Sequence, residues 1–198
     1  MFENFKVFET ELAGRPLVIE TGKMAQLANG ECLVRYGDTV VHVAATASAK
    51  PRDGIDFFPL LVDFEEKLYS VGKIPGSFLK REGRPSEKAT LTCRMIDRPI
   101  RPLFPKDMRN DVSIVCTVMS VDQDNSPEIA PSSAPPLPCP SPISRGRARS
   151  PAFPWAWLTG SLSSTPNAAQ RKVSQMAVTV ASTDERIAMI EAGANEVS

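Results

Sequence analysis

Short segments in which apolar and polar residues alternate fill the N-terminal part of the chain. The segments 5–12, 15–22, 31–37 and 39–47 are rich in β-branched residues and have the two-residue period of a strand. Turn-forming residues separate them, and a Gly-Asp pair at 37–38 marks a tight turn from the third to the fourth. The pattern predicts four consecutive strands, of which the last two form a hairpin.

Later segments predict more strands and a single helix. Strand patterns recur at 55–66, 111–122, 176–183 and 185–193. After a glycine-containing loop, Ser86 is a suitable N-cap for a helix that Pro99 should end at Arg98. Because strands dominate and few long helices separate them, the expected fold class is α+β, a mixed sheet with few helices, and not a doubly wound parallel sheet.

One segment departs from this pattern. Residues 131–165 contain eight prolines, eight serines, three arginines, both tryptophans of the chain and no acid. Such a composition is typical of a linker or a polyproline II ligand. A linker of this length is unusual inside a compact domain, so the segment is expected to disrupt the fold.

Composition narrows the class of protein. The chain has 198 residues, no net charge and 42% hydrophobic residues, which suits a globular domain. It has no apolar run long enough for a membrane helix and no signal peptide, so we expect no membrane partner and a cytoplasmic location. The four cysteines are far apart and the single histidine, His42, lies in a predicted strand, which favours neither a metal site nor a catalytic triad.

Charge is unevenly distributed along the chain. Residues 73–109, the basic stretch, carry ten basic and four acidic side chains. Such a stretch favours a polyanion as partner, whereas a solvated helix face is the alternative. Arginines at i, i+4 and i+7 of the predicted helix share one face, and guanidinium groups make bidentate contacts with phosphates. We single out seven side chains for contacts with RNA: Phe78, Lys80, Arg81, Arg84, Arg94, Arg98 and Arg101.

Phe78 is the one aromatic residue of this set, and it precedes two cations on a loop bounded by glycines. A ring beside cations suits single-stranded RNA, because a base stacks on the ring while the cations contact phosphates. The alternative is that Phe78 fills the core while the cations point into water. The pattern alone leaves both interpretations open.

Several long strings resemble the bacterial polynucleotide phosphorylase family. KIPGSFLKREGRPSEKATLTCRMIDRPIRPLFP, at 73–105, resembles the first of that family's two RNase PH-like cores, as do the strings at 15–48, 118–130 and 176–198. Together they cover nearly everything outside 131–165. The resemblance implies an RNase PH-like fold and a phosphorolytic 3′→5′ exoribonuclease, in which inorganic phosphate, as co-substrate, degrades single-stranded RNA to nucleoside diphosphates in mRNA turnover.

The resemblance also implies partners and different roles for the two cores. Members of the family form homotrimeric rings around a channel for single-stranded RNA, use Mg²⁺, and hold their active-site residues chiefly in the second core. By this resemblance the chain is a fragment that ends within or just after the first core. It would contribute to the RNA channel and to trimer assembly without catalysing the reaction. A stand-alone RNA-binding or assembly module is the alternative.

The residues that correspond to the second core's active site support a non-catalytic role. That core's Asp-Met-Asp-Phe-Lys string corresponds to residues 175–179, where Ala177 replaces the second aspartate and Thr179 the lysine. Without this carboxylate and ammonium group, we expect no catalytic or metal-binding residue in this chain. The family's aromatic-aromatic-Arg-Arg motif at the channel corresponds to residues 78–81, which keep Phe78 and Arg81.

In the family, a helix and two strands stand in place of the proline-rich segment. A reading frame shifted by one nucleotide explains the difference. Residues 131–146 are compatible with AIIGTSAALSISDIPW and residues 148–165 with GPIAGVTVGLVDGEFIIN, and both hidden strings resemble the family. Two compensating single-base changes account for the prolines, the tryptophans and the missing acids together. We therefore expect 1–130 and 166–198 to belong to one RNase PH-like core, with an out-of-frame segment between them.

Overall fold

The computed structural model covers most of the chain outside the proline-rich segment. The described residues are 4–76, 78–122, 127, 152–158, 161–164, 166, 168–182 and 187–195. Within the proline-rich segment, the predictions for 131–151, 159–160 and 165 lie outside the described residues.

Six strands form the first sheet, and four of them follow one another as an antiparallel meander. The strands are β1 (Lys6–Leu12), β2 (Arg15–Thr21), β3 (Gly30–Tyr36), β4 (Thr39–Pro51), β5 (Leu60–Glu66) and β6 (Asn110–Ser120), in the spatial order β1-β2-β3-β4-β6-β5. Tyr36 pairs with Thr39 across the predicted hairpin, and Gly37 has a φ of 60°, which glycine adopts readily. The four N-terminal strands and their hairpin are confirmed.

Helix α1 (Glu87–Ile100) lies in the crossover between β5 and β6, which are parallel. Its buried residues recur at helical spacing, so one stripe packs on the sheet: Ala89, Thr92, Ile96 and Pro99. The core beneath it is built from buried strand side chains, among them Val34, Val41, Phe64, Ile114 and Cys116. A mixed sheet packed against one long helix is the α+β architecture that the sequence predicts.

The helix does not end at Arg98, as predicted, but continues through Pro99 to Ile100. Proline lacks the N–H that would donate to the carbonyl four residues earlier. The N–H of Arg101 nevertheless donates to the carbonyl of Asp97, so the helical hydrogen-bond pattern resumes after the proline. Burial of the Pro99 ring in the core offsets the lost hydrogen bond.

The two edges of the first sheet differ in how they are covered. At β5, the N–H of Phe64 donates to Cys93 Sγ of α1 at 3.1 Å, and Arg101 donates to two carbonyls at the start of the strand. β5 begins later than predicted, because Pro59 has no N–H to contribute to a ladder. β1 forms the other edge, and six of its seven residues are exposed. Its alternating charged side chains disfavour pairing with other strands.

The C-terminal part of the chain forms a second sheet. Its strands are β7 (Ala152–Leu158), β8 (Ser161–Ser164), β9 (Met176–Ser182) and β10 (Ile187–Ala194), in the order β10-β9-β7-β8, and a short helix α2 (Ala168–Val173) precedes β9. Ala181 and Met189 are buried and pack with Met95 of α1, so α1 contacts both sheets. No helix within the described ranges combines the length and hydrophobicity that a membrane crossing requires.

β7 and β8 lie inside the proline-rich segment, where composition alone predicts an irregular linker. Their backbones pair antiparallel from Trp155 opposite Ser164, and β7 also pairs with β9, where Pro154 lies opposite Thr179. β8 pairs with β7 only from Trp155 onwards, so at Pro154 the strand β7 has β9 as its one neighbour. The N–H that Pro154 lacks is therefore not missing from a ladder with β8. The linker expectation is therefore wrong for these two stretches.

Candidate nucleic-acid interface

Four of the predicted RNA-binding residues lie on the loop over residues 72–85, which connects β5 to α1. A 3-10 turn (Leu68–Val71) leads into it and ends at Gly72, whose φ of 70° is the left-handed conformation that glycine adopts without strain. The N–H groups of Gly72 and Lys73 both donate back to carbonyls of the turn, at 3.0 Å each. The entry to the loop is thus fixed by its backbone.

Two side-chain hydrogen bonds tie the two ends of this loop together. Ser86 Oγ donates to Glu66 Oε2 at 2.8 Å, and the N–H of Leu68 donates to Glu82 Oε1 at 3.0 Å. Ser86 Oγ also accepts from the N–H of Ala89 at 3.0 Å, which confirms the predicted N-cap. These hydrogen bonds therefore hold the two ends of the loop together, at the end of β5 and the start of α1.

The Phe78 side chain is fully exposed, at 100% of its accessible surface, and Leu79 is 68% exposed. The alternative in which Phe78 fills the core is therefore wrong. Between the ring and Arg81, Lys80 has a φ of 47°, a left-handed conformation that costs a residue with a side chain about 1–2 kcal/mol. The loop holds an aromatic ring in solvent beside two cations, an arrangement that can stack on a base and neutralise phosphates.

The cations of the loop and of α1 are also exposed. In the part of the chain that the structure describes, none of five forms an ion pair: Lys80, Arg81, Arg84, Arg94 and Arg98. With a rise of 1.5 Å per residue, Arg94 and Arg98 lie about 10 and about 16 Å along the axis from the start of α1. The structure brings three cations together on the loop and sets two further along the helix. Uncompensated guanidinium groups of this kind bind phosphates well.

Arg101 differs, because its guanidinium group is used within the chain. Nε and Nη2 donate to the two carboxylate oxygens of Asp97 at 3.0 and 2.6 Å. Nη1 donates to the carbonyl of Phe58 at 3.1 Å, and Nη2 to that of Leu60 at 3.2 Å. Arg101 thus joins the end of α1 to the start of β5, and it has the fewest donors left for a phosphate among the six candidate cations.

We expect Arg101→Ala to lower the free energy of unfolding by about 1–2 kcal/mol, because the carbonyls of Phe58 and Leu60 and the carboxylate of Asp97 lose their partner. RNA affinity should change less than about twofold, since little of the guanidinium group is free. Urea unfolding and an RNA titration measure the two effects. Arg98→Ala is the control and should leave stability within about 0.5 kcal/mol. Unchanged stability with weakened RNA binding in Arg101→Ala would contradict the structural role.

The buried thiols do not offer a nucleophile. Burial raises the pKa of Cys32 to about 12, with a smaller contribution from the neighbouring Glu31 carboxylate. Burial also raises the pKa of Cys116, which lies close to the other two thiols, and that of Cys93. Since a thiolate is the reactive form, these three groups act as small apolar core residues.

His42 lies in β4, as predicted, and contacts a buried carboxylate. Its Nε2 is 3.5 Å from Glu31 Oε2, and both side chains are largely buried. Glu31 Oε1 accepts from the N–H groups of Lys23 at 2.8 Å and Met24 at 3.3 Å. These contacts fix the chain that leads into β3, which gives the pair a structural role.

The positions that correspond to the second core's metal and phosphate residues do not fit Mg²⁺. Ala177 and Thr179 lie on β9, opposite Gly193 and Glu191 of β10, so one carboxylate is the only acid in these pairs. Nowhere in the described ranges do three or more potential ligand side chains come close enough to hold a metal ion. Alanine and threonine provide neither the carboxylate that a hard cation prefers nor a positive charge for phosphate.

Glu66 and Glu82 were not predicted as site residues. Glu82 counts only as one acid within the basic stretch, and the hydrogen bond to Leu68 depends on how the loop folds back on the 3-10 turn. One signal was present in the sequence: Glu82 is the only acid among the three cations at the end of the loop, Lys80, Arg81 and Arg84.

Comparisons with known proteins agree with the described fold. Residues 13–163 match the RNase PH family, described as 3' exoribonuclease family, domain 1. Polyribonucleotide nucleotidyltransferase of Ruminiclostridium cellulolyticum is 60% identical over 200 residues, which cover 98% of this chain and 28% of that protein. The protein of the same name from Clostridioides difficile is 55% identical over 207 residues, again across 28% of its length.

Solved structures share the fold at low sequence identity. A chain of the structure described as "archaeoglobus fulgidus exosome with RNA bound to the active site" has a TM-score of 0.65 at 16% identity, covering all of this chain and 81% of that one. A chain of the "Archaeal exosome core" has a TM-score of 0.59, also at 16% identity, with 78% of that chain covered. The match over 13–163 and these relatives lead to one conclusion: the chain belongs to the 3' exoribonuclease family, as an RNase PH domain.

Proposed function

We propose that this chain is the non-catalytic first core of a phosphorolytic 3′→5′ exoribonuclease and contributes a surface for single-stranded RNA. The chain spans about 28% of the length of the relatives named polyribonucleotide nucleotidyltransferase, so the reaction itself belongs to the longer protein. In that reaction an oxygen of inorganic phosphate attacks the terminal phosphodiester. The bond to the 3′ oxygen breaks, a nucleoside diphosphate leaves, and the shortened RNA keeps the protonated 3′ hydroxyl.

The observation that carries the proposal is the fully exposed Phe78 beside Lys80 and Arg81, whose charges have no partner in the described ranges. An apolar ring in water is unfavourable unless a partner covers it, and a base is a flat apolar partner. The adjacent cations favour a phosphate backbone over a neutral ligand. Arg84, Arg94 and Arg98 extend the positive surface, and Arg101 contributes least.

The remaining features are proposed for the longer protein, and membership of the 3' exoribonuclease family supports them. We propose that it assembles as a homotrimer around the RNA, that Mg²⁺ is held outside this core, and that inorganic phosphate is the co-substrate. A cytoplasmic location fits a reaction that consumes RNA and free phosphate. Ala177 and Thr179 on β9 are the reason to place metal and phosphate chemistry elsewhere.

Two substitutions on the loop test the proposal by different physical effects. Phe78→Ala should weaken binding of a single-stranded oligonucleotide by about 1–3 kcal/mol without changing its salt dependence, because stacking releases no counterions. Arg81→Ala should weaken binding equally for all sequences and reduce the slope of log K against log salt by about 0.7. Fluorescence titrations at several salt concentrations measure both quantities.

Matched controls come from exposed residues of the first sheet. Phe8 on β1 is 55% exposed and Arg35 on β3 is also exposed, so Phe8→Ala and Arg35→Ala remove the same groups away from the loop. Neither should change RNA affinity by more than about twofold, and all four variants should unfold at similar temperatures. A Phe78→Ala variant that binds RNA normally would refute the stacking role.

A second function, that of a stand-alone RNA-binding module, has one observation in its favour. In the described part of the chain, β9 carries neither an acidic residue nor a lysine for catalysis, and the buried cysteines provide no reactive thiol. The two functions differ in turnover of the longer protein. Phosphate-dependent release of nucleoside diphosphates from RNA supports the enzyme, whereas salt-sensitive RNA binding without such release supports the module.

A further inference from the structure

The loop that carries Phe78 is closed at its base by two carboxylates, one from each side. Glu66, at the end of β5, accepts from Ser86 Oγ at 2.8 Å, and Glu82, at the far side of the loop, accepts from the N–H of Leu68 at 3.0 Å. The two contacts cross the base of the loop in opposite directions. The first belongs to the N-cap of α1, whereas the second fixes the segment directly after Arg81.

The place of Glu82 in the charge pattern is unusual. It follows Arg81 directly and precedes Arg84 by two residues, yet no ion pair joins it to either arginine in the described residues. Its Oε1 instead accepts the backbone N–H of Leu68. A carboxylate so close to two guanidinium groups would ordinarily neutralise one of them, which would lower the attraction for a phosphate.

We propose that Glu82 is a positioning residue for RNA binding: its contact with Leu68 holds the Phe78–Arg81 segment in place and keeps its own carboxylate off Arg81 and Arg84. The inference rests on the proposed function, since it assigns Glu82 a role in how the loop meets single-stranded RNA. A loop ordered before binding loses less conformational entropy when it binds. Glu82 contacts no RNA in this proposal and acts through the backbone of the loop.

Electrostatics alone predicts the opposite change in RNA affinity, so one measurement distinguishes the two explanations. Removing a negative charge beside two arginines should strengthen RNA binding if charge were the only factor. If Glu82 positions the loop, Glu82→Ala should instead weaken the binding of a twelve-nucleotide oligoadenylate, by about threefold to tenfold for the loss of one ordering hydrogen bond. Glu82→Gln keeps an acceptor oxygen for the Leu68 N–H, so it should bind at least as tightly as the unmodified chain.

Glu87→Ala is the matched control. Glu87 lies in the first turn of α1, within the same basic stretch, and its removal changes the net charge equally without touching the loop base. It should bind the oligoadenylate no more weakly than the unmodified chain. Weakening in Glu82→Ala with rescue in Glu82→Gln supports positioning, whereas equal or tighter binding in both Glu82 variants overturns it.

Limited proteolysis tests whether Glu82 orders the loop without any measurement of RNA affinity. Trypsin cleaves after Lys80 and Arg81, and a loop released at its base should be cut faster. Glu82→Ala should therefore be cleaved there several-fold faster than the unmodified chain, with Glu82→Gln and Glu87→Ala unchanged. If Phe78→Ala and Arg81→Ala both leave RNA affinity intact, the proposed function fails and the positioning role for RNA fails with it. If they weaken binding but Glu82→Ala does not, the positioning role for RNA alone is wrong, whatever the rate of cleavage.

Discussion

A chain in which the reading frame over 131–165 is restored should unfold at clearly higher urea concentration than the chain with the sequence printed here. The restored strings place apolar side chains where the printed segment has eight prolines, which lack N–H donors for strand ladders. If two large side chains are buried as a result, the free energy of unfolding should rise by about 4 kcal/mol or more, at about 2–5 kcal/mol each. Urea unfolding followed by circular dichroism measures the difference.

A third version separates restored packing from the mere loss of prolines. In this control, glycine and serine replace 131–165 at the same length, which removes the prolines without adding apolar side chains. It should be no more stable than the unrestored chain, because closing a flexible loop costs chain entropy and buries no apolar surface that would offset the cost. If the restored chain and the printed chain share one urea midpoint, the frame-shift hypothesis is wrong.

Phe64→Ala should strongly destabilise the first sheet, lowering the free energy of unfolding by about 3–5 kcal/mol. The Phe64 side chain is 2% exposed and belongs to the core beneath α1, so its removal leaves a cavity that the neighbouring strand β6 and helix α1 cannot close. The backbone contact with Cys93 Sγ survives the change, which confines the effect to packing. Thermal and urea unfolding measure the loss.

Leu61→Ala is the control for Phe64→Ala on the same strand. The Leu61 side chain is 56% exposed on the opposite face of β5, so truncating it should cost less than about 1 kcal/mol. Comparable losses for the two variants would mean that both faces of β5 are packed equally, contrary to the described burial. RNA affinity, corrected for the folded fraction, should be unchanged in Leu61→Ala.

The elements that the sequence predicts well are those with local causes. Alternation and tight turns define β1 to β4, and a serine that can accept from the N–H of Ala89 defines the start of α1. The prediction that α1 ends at Arg98 was wrong, because whether a helix continues through a proline depends on what the proline packs against. Pro99 is buried in a core assembled from distant strands, and no local rule contains that contact.

The roles of single side chains in the candidate site also depend on contacts with distant residues, which the sequence pattern does not reveal. The exposed Phe78 and an Arg81 that forms no ion pair within the described residues agree with the pattern of a ring beside cations, although the pattern could not distinguish an exposed ring from a buried one. The sequence pattern does not distinguish Arg101 from Arg94 and Arg98, yet Arg101 donates to Asp97 and to two backbone carbonyls at the start of β5. Glu82 acquires its role from the N–H of Leu68, a partner fourteen residues away in the chain.

The crossover between β5 and β6 has a consequence for the order in which the chain folds. β1 to β4 can pair with their neighbours as soon as each leaves the ribosome, whereas β5 has β6 as its strand partner, with Leu60 opposite Val112. Closing such a distant pair costs chain entropy before any contact forms, so this step should be late and slow. The Phe78 loop and α1 lie entirely within that interval. The surface proposed to bind RNA should thus be complete only after β6 has been synthesised, so the nascent chain should lack it until then.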